Sequence, residues 1–157
     1  MMEFNVGLLE VSYKQISIFI YGLDNPFNDW SQINIKQGFT YRSESIGIMT
    51  LNDDGPIHVN VDTSLNIVPE SVRILVLPFK IIGENGVEIA TLTESSWIDI
   101  PDGEYSLIIQ LGNDNITGNW CRFSLINANQ FDSSPRYLKH DPEISVAEKF
   151  DLNAGPA

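Results

Sequence analysis

Hydrophobic positions along this chain recur mainly every second residue. Gln15–Tyr21 places Ile16, Ile18 and Ile20 on one side of an extended segment, and Ile57–Val61 alternates in the same way. A period of two marks a half-buried strand, because successive side chains of extended backbone point to opposite faces. Ser45–Leu51, Val72–Phe79, Gly86–Leu92, Trp97–Ile100, Glu104–Leu111 and Cys121–Ile126 are further short runs rich in β-branched and aromatic residues, which suit a pleated surface. Between them stand Asp53-Asp54-Gly55-Pro56, Glu84-Asn85-Gly86, Pro101-Asp102-Gly103 and Gly112-Asn113-Asp114-Asn115, residues that accept positive φ or preset a reversal. Turns spaced about 8–12 residues apart predict an all-β fold, an antiparallel β-sandwich with Greek-key or jelly-roll-like connections. Its core is expected to hold Ile16, Ile18, Ile20, Val59, Leu75, Leu77, Ile98, Leu107, Ile109 and Phe123. Pro101–Tyr105 is expected to make a tight turn, with Gly103 at positive φ and Tyr105 packed under the corner, since a Cβ clashes at that backbone angle.

Two segments depart from this pattern. Asn28–Gly38 predicts one short helix, with Asn28 or Asp29 as N-cap and Gly38 as its stop, although Ile33 and Ile35 fall on different helical faces. After Phe131 the alternation fades and Pro135, Pro142 and Pro156 appear. Residues 131–157 are therefore expected to form an irregular C-terminal arm over the sandwich, with one helical turn at Val146–Phe150 and a frayed Gly-Pro-Ala end. No repeat or long linker divides the chain, so residues 1–157 are expected to form a single domain.

Charge changes the picture more than composition does. The chain carries 21 acids against 9 Lys and Arg, a formal net of −12, which repels nucleic-acid phosphates and anionic membranes. Neither is an expected partner. From Ile81 to Cys121 there is no Lys or Arg but seven acids, Glu84, Glu88, Glu94, Asp99, Asp102, Glu104 and Asp114. Five more, Glu44, Asp53, Asp54, Asp62 and Glu70, lie between Ser43 and Val72, again without a cation. No apolar run approaches the roughly 20 residues that cross a bilayer. The first residues carry acids where a secretory leader has bases, so a cytoplasmic setting is expected.

Catalytic constellations are hard to find. His58, His140 and the lone Cys121 make no zinc-ligand spacing. Cys121 follows Trp120 in an apolar run, the setting of a buried thiol rather than a nucleophile. Asp53-Asp54-Gly55 and Asn113-Asp114-Asn115 lack the distal Glu that closes a calcium loop. Phosphate loops, nucleophile elbows and His-Glu metal helices are missing. With so many acids, a chance pair of carboxylates marks no glycosidase. A protein without enzymatic activity and without a cofactor is expected. Two other binding classes stay open: a carbohydrate-binding sandwich, which needs Trp30, Trp97 or Trp120 exposed, and a structural subunit. The oligomeric state is open too.

Several short motifs, in order, resemble the competence protein J family, a family of nuclease inhibitors. They are Val11-Ser12-Tyr13-Lys14-Gln15-Ile16, Asp29-Trp30-Ser31 with Gln37-Gly38-Phe39, Val76-Leu77-Pro78-Phe79, Gly86-Val87-Glu88-Ile89 and Ile100-Pro101-Asp102-Gly103-Glu104-Tyr105-Ser106-Leu107. The resemblance runs from about Leu8 to Leu111 and carries no catalytic residues. It implies a protein that binds and blocks a DNA-degrading endonuclease. The residues agree independently: a site that attracts a polyanion is cationic, and a carboxylate surface complements it. Glu84, Glu88, Glu94, Asp99, Asp102, Glu104 and Asp114 are the candidate partner-binding residues, with Trp97 and Tyr105 as candidate anchors.

Overall fold

The computed structural model describes residues 2–146 and 149–157. In chain order the elements are β1 (Glu3–Val11), β2 (Gln15–Ile20), α1 (Gln32–Gln37), β3 (Phe39–Arg42), β4 (Ser45–Met49), β5 (Gly55–Asp62), β6 (Arg73–Ile81), β7 (Val87–Ala90), β8 (Ser95–Ile98), β9 (Gly103–Asp114), β10 (Gly118–Asn127) and β11 (Arg136–Lys139). They form a six-stranded sheet in the order β1-β5-β10-β9-β6-β11 and a five-stranded sheet in the order β3-β4-β2-β7-β8. Pairing is antiparallel except between β5 and β10, which run parallel because the β9–β10 hairpin inserts between β5 and β6.

Burial follows the alternation that predicted it. One continuous apolar cluster draws Ile16, Ile18, Ile46 and Ile89 from the smaller sheet and Val59, Leu77, Leu107 and Phe123 from the larger. The two inner faces thus interdigitate, as in a sandwich. All ten expected core residues are buried.

Where expectation and structure differ, a local cause is visible. β1 escapes a period-two reading because a bulge at Val6 and Gly7 shifts its register against β5. Gly7, at φ +90°, swaps the inward phase from Phe4 and Val6 to Leu9 and Val11. The turn expected at Gly112 lies further on, because β9 continues to Asp114. Gly112 serves a different purpose: the indole of Trp120 lies where its Cβ would stand. Gly103 has no positive φ and opens β9 opposite Ile81. The expected corner rests on Tyr105 instead, whose hydroxyl donates to the Pro101 carbonyl at 2.6 Å.

Helix α1 is shorter than predicted and starts later. Ser31 is its N-cap, in a reciprocal capping box with Asn34, and Gly38 closes it at φ +87°. Its buried face is polar: Asn34 and Gln37 point inward while Ile33 and Ile35 are exposed. Gln37 explains this inversion. Its side-chain amide donates to the carbonyls of Phe39 (2.9 Å) and Asp151 (3.0 Å), and its Oε1 accepts from Asp151 N–H (3.0 Å). The helix is thereby a clasp for the C-terminal segment.

That segment begins as β11, an edge strand on β6. Ile144 is buried, and Tyr137 and Phe150 pack edge-on against Phe39 and each other. At its end, the N–H groups of Ala154 and Ala157 donate to Tyr41 and Phe27, and the Asp29 N–H donates to Gly155. The helical turn expected at Val146–Phe150 includes residues 147 and 148, outside the described ones.

A charged cluster joins this segment to both sheets. Arg73 on β6 is almost fully buried and reaches Asp141 at 2.9 and 3.0 Å, Glu143 at 2.9 Å and the Met49 carbonyl at 2.9 Å. Lys14 holds Glu143 from the other side at 3.0 Å. Burial alone pushes the Asp141 carboxyl up, but the hydrogen bonds and charge of Arg73 more than reverse this and leave it below its ordinary 3.8. Stability from this pair is therefore complete above about pH 4 and is lost as pH falls through the lower folded value. Asp141→Asn is expected to cost about 2–3 kcal/mol at pH 7, because it takes from a buried guanidinium the carboxylate that meets two of its nitrogens and leaves Glu143 as its one anionic partner. It should also flatten the acid limb of stability, as read by urea unfolding at pH 7 and pH 3.

Two glycines give a second check. A Cβ at Gly86 (φ +73°) would overlap the Ile98 carbonyl and stand 3.3 Å from Asp99 Cα, whereas at Gly103 it would meet only the Tyr105 ring at 3.4 Å. Gly86→Ala is expected to destabilise by about 2 kcal/mol or more, and Gly103→Ala by less than about 0.5 kcal/mol. Thermal melts of the two variants compare them directly.

Candidate partner-binding site

The fold distributes the seven acids over separate places. Glu84 sits in the β6–β7 turn, Asp99 and Asp102 in the β8–β9 connection, and Glu104 at the start of β9, all exposed. These four share one end of the sandwich. The Glu84 N–H, in a residue held at φ +57°, donates to both oxygens of Asp102 at 3.0 and 3.1 Å, locking turn to connection. Asp99 adjoins Gly86 in the same turn.

Glu88 lies a short way off on β7, half-buried, in register with Trp97 on β8 and Phe19 on β2. Glu94 stands at the far end of the β7–β8 hairpin, where it accepts the Glu10 N–H at 2.6 Å. Asp114 ends β9, roughly 33 Å of extended backbone away from Glu104. Asp114 therefore cannot share one contact patch with Glu104, whereas Glu94 and Glu88 line one hollow on the smaller sheet. Glu104 has a further handicap: Lys80 stands directly opposite it on β6. A stretch without cations in sequence acquires one in space, and such a pair partly cancels.

At the acidic end the smaller sheet exposes two aromatic rings. Trp97 is 54% exposed and Tyr21, just past β2, is 47% exposed. Their rings meet edge to face at 6.3 Å between centroids. The Trp97 indole N–H donates to the Asn85 carbonyl at 2.6 Å, and the Tyr21 N–H donates to the Gly86 carbonyl at 3.1 Å. The Trp97 ring is thus fixed to the turn that carries Glu84, and the Tyr21 backbone is tied to the same turn. The half-exposed Trp97 ring, so held, has already lost the rotamer freedom that binding otherwise removes. Glu84, Glu88 and Asp99 make no ion pair among the described residues.

Tyr105, the other expected anchor, is only half-exposed and spends its hydroxyl on Pro101; burial first, then the charge of Asp102, holds that hydroxyl above its ordinary pKa. Tyr21 was missed as an anchor in the sequence because it reads as the last residue of an apolar strand. Its parity is the available signal, since it falls out of phase with Ile16, Ile18 and Ile20.

A family model described as Competence protein J matches residues 8–126. That span reaches beyond the motifs legible in the sequence and takes in β10. Among solved structures, the chain is similar to ComJ from Bacillus subtilis, described as an inhibitor of the DNA degrading activity of NucA. The TM-score is 0.70 at 19% identity, over 81% of this chain and 99% of that one. It is also similar to a protein described as crocagin biosynthetic gene J, with TM-score 0.50 and 11% identity over 79% of this chain and 98% of that one. At these identities both structures speak for the fold. No curated protein matches the sequence.

The chemistry-bearing side chains away from this end are structurally occupied or apart. His140 stacks edge-on against Tyr137, while His58 stands on the outer face of the larger sheet. No three His, Cys, Asp or Glu side chains converge among the described residues. Cys121 is fully buried in the core, which pushes its thiol far above the ordinary range. It is expected to resist a maleimide reagent at pH 8 in the folded protein and to react at once in denaturant. Labelling at the folded stage, followed by mass, would contradict that placement.

Proposed function

Because the chain belongs to the competence protein J family, we propose that it binds a DNA-degrading endonuclease and blocks it through the acidic end that carries Tyr21 and Trp97. One observation carries the choice of surface: an exposed aromatic pair in edge-to-face contact, bordered by carboxylates that make no ion pair among the described residues. A nuclease must gather a polyanion, so its site presents cations. Glu84, Glu88, Asp99 and Asp102 supply the complementary charge, and the net −12 of the chain steers the encounter. Trp97 is the energetic anchor, a flat apolar ring that removes water around the charge contacts. Glu104 contributes less, being opposed by Lys80, Glu94 lies at the edge of the contact beside Glu88, and Asp114 lies outside it. The inhibitor acts as a protein ligand in the cytoplasm, without a cofactor and without binding nucleic acid itself. The described residues include no helix long and apolar enough to cross a membrane.

The test is nuclease activity on DNA as a function of inhibitor concentration, at two salt levels, with a nuclease from the same cell. Glu84→Lys, Glu88→Lys and Asp99→Lys together are expected to slow association about tenfold or more at low salt, because steering acts on the on-rate. Asp114→Lys is expected to change little, each exposed charge being worth about 0–1 kcal/mol. Trp97→Ala is expected to weaken binding by about 2 kcal/mol, roughly thirtyfold. Raising salt toward 1 M, where the Debye length falls to about 3 Å, is expected to bring the wild type toward the triple variant. A protein that neither binds nor inhibits any such nuclease would overturn the function. Inhibition indifferent to Trp97, to the triple reversal and to salt would overturn the surface.

A further inference from the structure

The outer face of the larger sheet carries a second built surface, at the opposite end of β9 from the acidic one. Parallel pairing of β5 with β10 aligns His58 with Trp120 and Asn60 with Arg122. β1 adds Asn5 beside Asn60. With Val68 and Thr117 these residues line an open hollow of about 320 Å³, within the usual size range of small-molecule sites.

Its floor is prepared. The Trp120 indole lies against the bare backbone of Gly112, where any Cβ would displace it. Arg122 donates to Asp62, a side chain 2% exposed, so the guanidinium is fixed and its charge offset. Gln110, fully buried in the next strand, holds the covering segment in place: it accepts from Val68 N–H at 2.7 Å and donates to the Asn66 carbonyl at 2.8 Å. Val68 is thereby set as a wall. Asn5 uses its Oδ1 on the Gly7 N–H and keeps its amide NH₂ for the hollow.

We infer that this hollow binds a neutral saccharide, with a sugar ring stacked on Trp120 and its hydroxyls held by Asn5, Asn60 and Arg122. Charge selects the ligand first. A protein of net −12 disfavours anions, and Asp62 already offsets the one guanidinium that lines the hollow, so no free charge there calls for a charged ligand. Hydrogen bonding selects it second. Carboxamides present donor and acceptor side by side, Thr117 adds a hydroxyl, and a sugar hydroxyl is itself both donor and acceptor. The flat indole, backed by β9, suits the apolar C–H face of a sugar ring.

The experiment uses the full chain labelled with nitrogen-15 and neutral oligosaccharides of glucose, N-acetylglucosamine, mannose, galactose and xylose, each titrated into the millimolar range. At least one is expected to shift the Trp120 indole cross-peak saturably while those of Trp30 and Trp97 stay in place. Asn60→Ala is expected to weaken that binding at least about tenfold with an unchanged melting temperature. Trp120→Ala is expected to abolish it, and Asn60→Ala keeps the test decisive if the Trp variant unfolds. Failure of every sugar to move Trp120, or wild-type affinity in Asn60→Ala, overturns the inference. Nuclease inhibition is read at the other end of the molecule, so the failure of either activity leaves the other standing.

Discussion

A full positive charge at the mouth of a hydrocarbon core is the constraint on which much of this architecture turns. Arg73 leaves β6 on the side facing the smaller sheet, where an unmatched guanidinium is intolerable. Its three partners come from two places: a carbonyl at the end of β4 and two carboxylates from the chain beyond β11. The C-terminal segment is therefore electrically required by the sandwich, in addition to being packed on it. Lys14, in the β1–β2 turn, extends the cluster by sharing Glu143, and so ties the place where the chain first crosses between sheets to the place where it last leaves them. Burial pulls the Lys14 ammonium down, and its bonds to Glu143 and Asp53 more than restore it.

The same chain separates its charge by location. Cations are drawn into structural work, with Arg73 and Arg122 both committed to buried or half-buried carboxylates. Arg42 is spent on the Asn28 side chain and the carbonyls of Asn25 and Pro26. What remains at the surface is disproportionately acidic, and at the Tyr21–Trp97 end that excess coincides with rigid apolar area. Affinity and steering have different physical origins, and the proposed surface would place both at one end of the sandwich.

Much of the fold was legible because a sandwich writes its core in a period of two, and Ile16 through Phe123 obeyed it. What escaped did so for physical reasons. Gly7 lets β1 change phase in mid-strand, so no single alternation runs through it. In α1 the usual rule is inverted, because Gln37 earns its burial through three hydrogen bonds that pattern alone does not reveal. Gly112 reads as a turn residue, yet it is a strand residue cut down to admit Trp120. For the candidate site, composition marked a sequence window but said nothing of its geometry. β9 carries Asp114 far from Glu104, Lys80 returns from outside the window to face Glu104, and Tyr21 joins Trp97 only because β7 lies between β2 and β8.

The final residues carry a consequence of their own. β3 is the outermost strand of the smaller sheet, and its far side would offer bare amide and carbonyl groups to any passing extended chain. The Tyr41 carbonyl is instead taken by Ala154, and the neighbouring 27–29 segment is stitched to residues 155–157. Residues 154–157 thus work as a built-in chaperone for the sheet they cover. A protease that removed only residues 154–157 would spare the core and uncover an adhesive border, a seed for strand-to-strand growth.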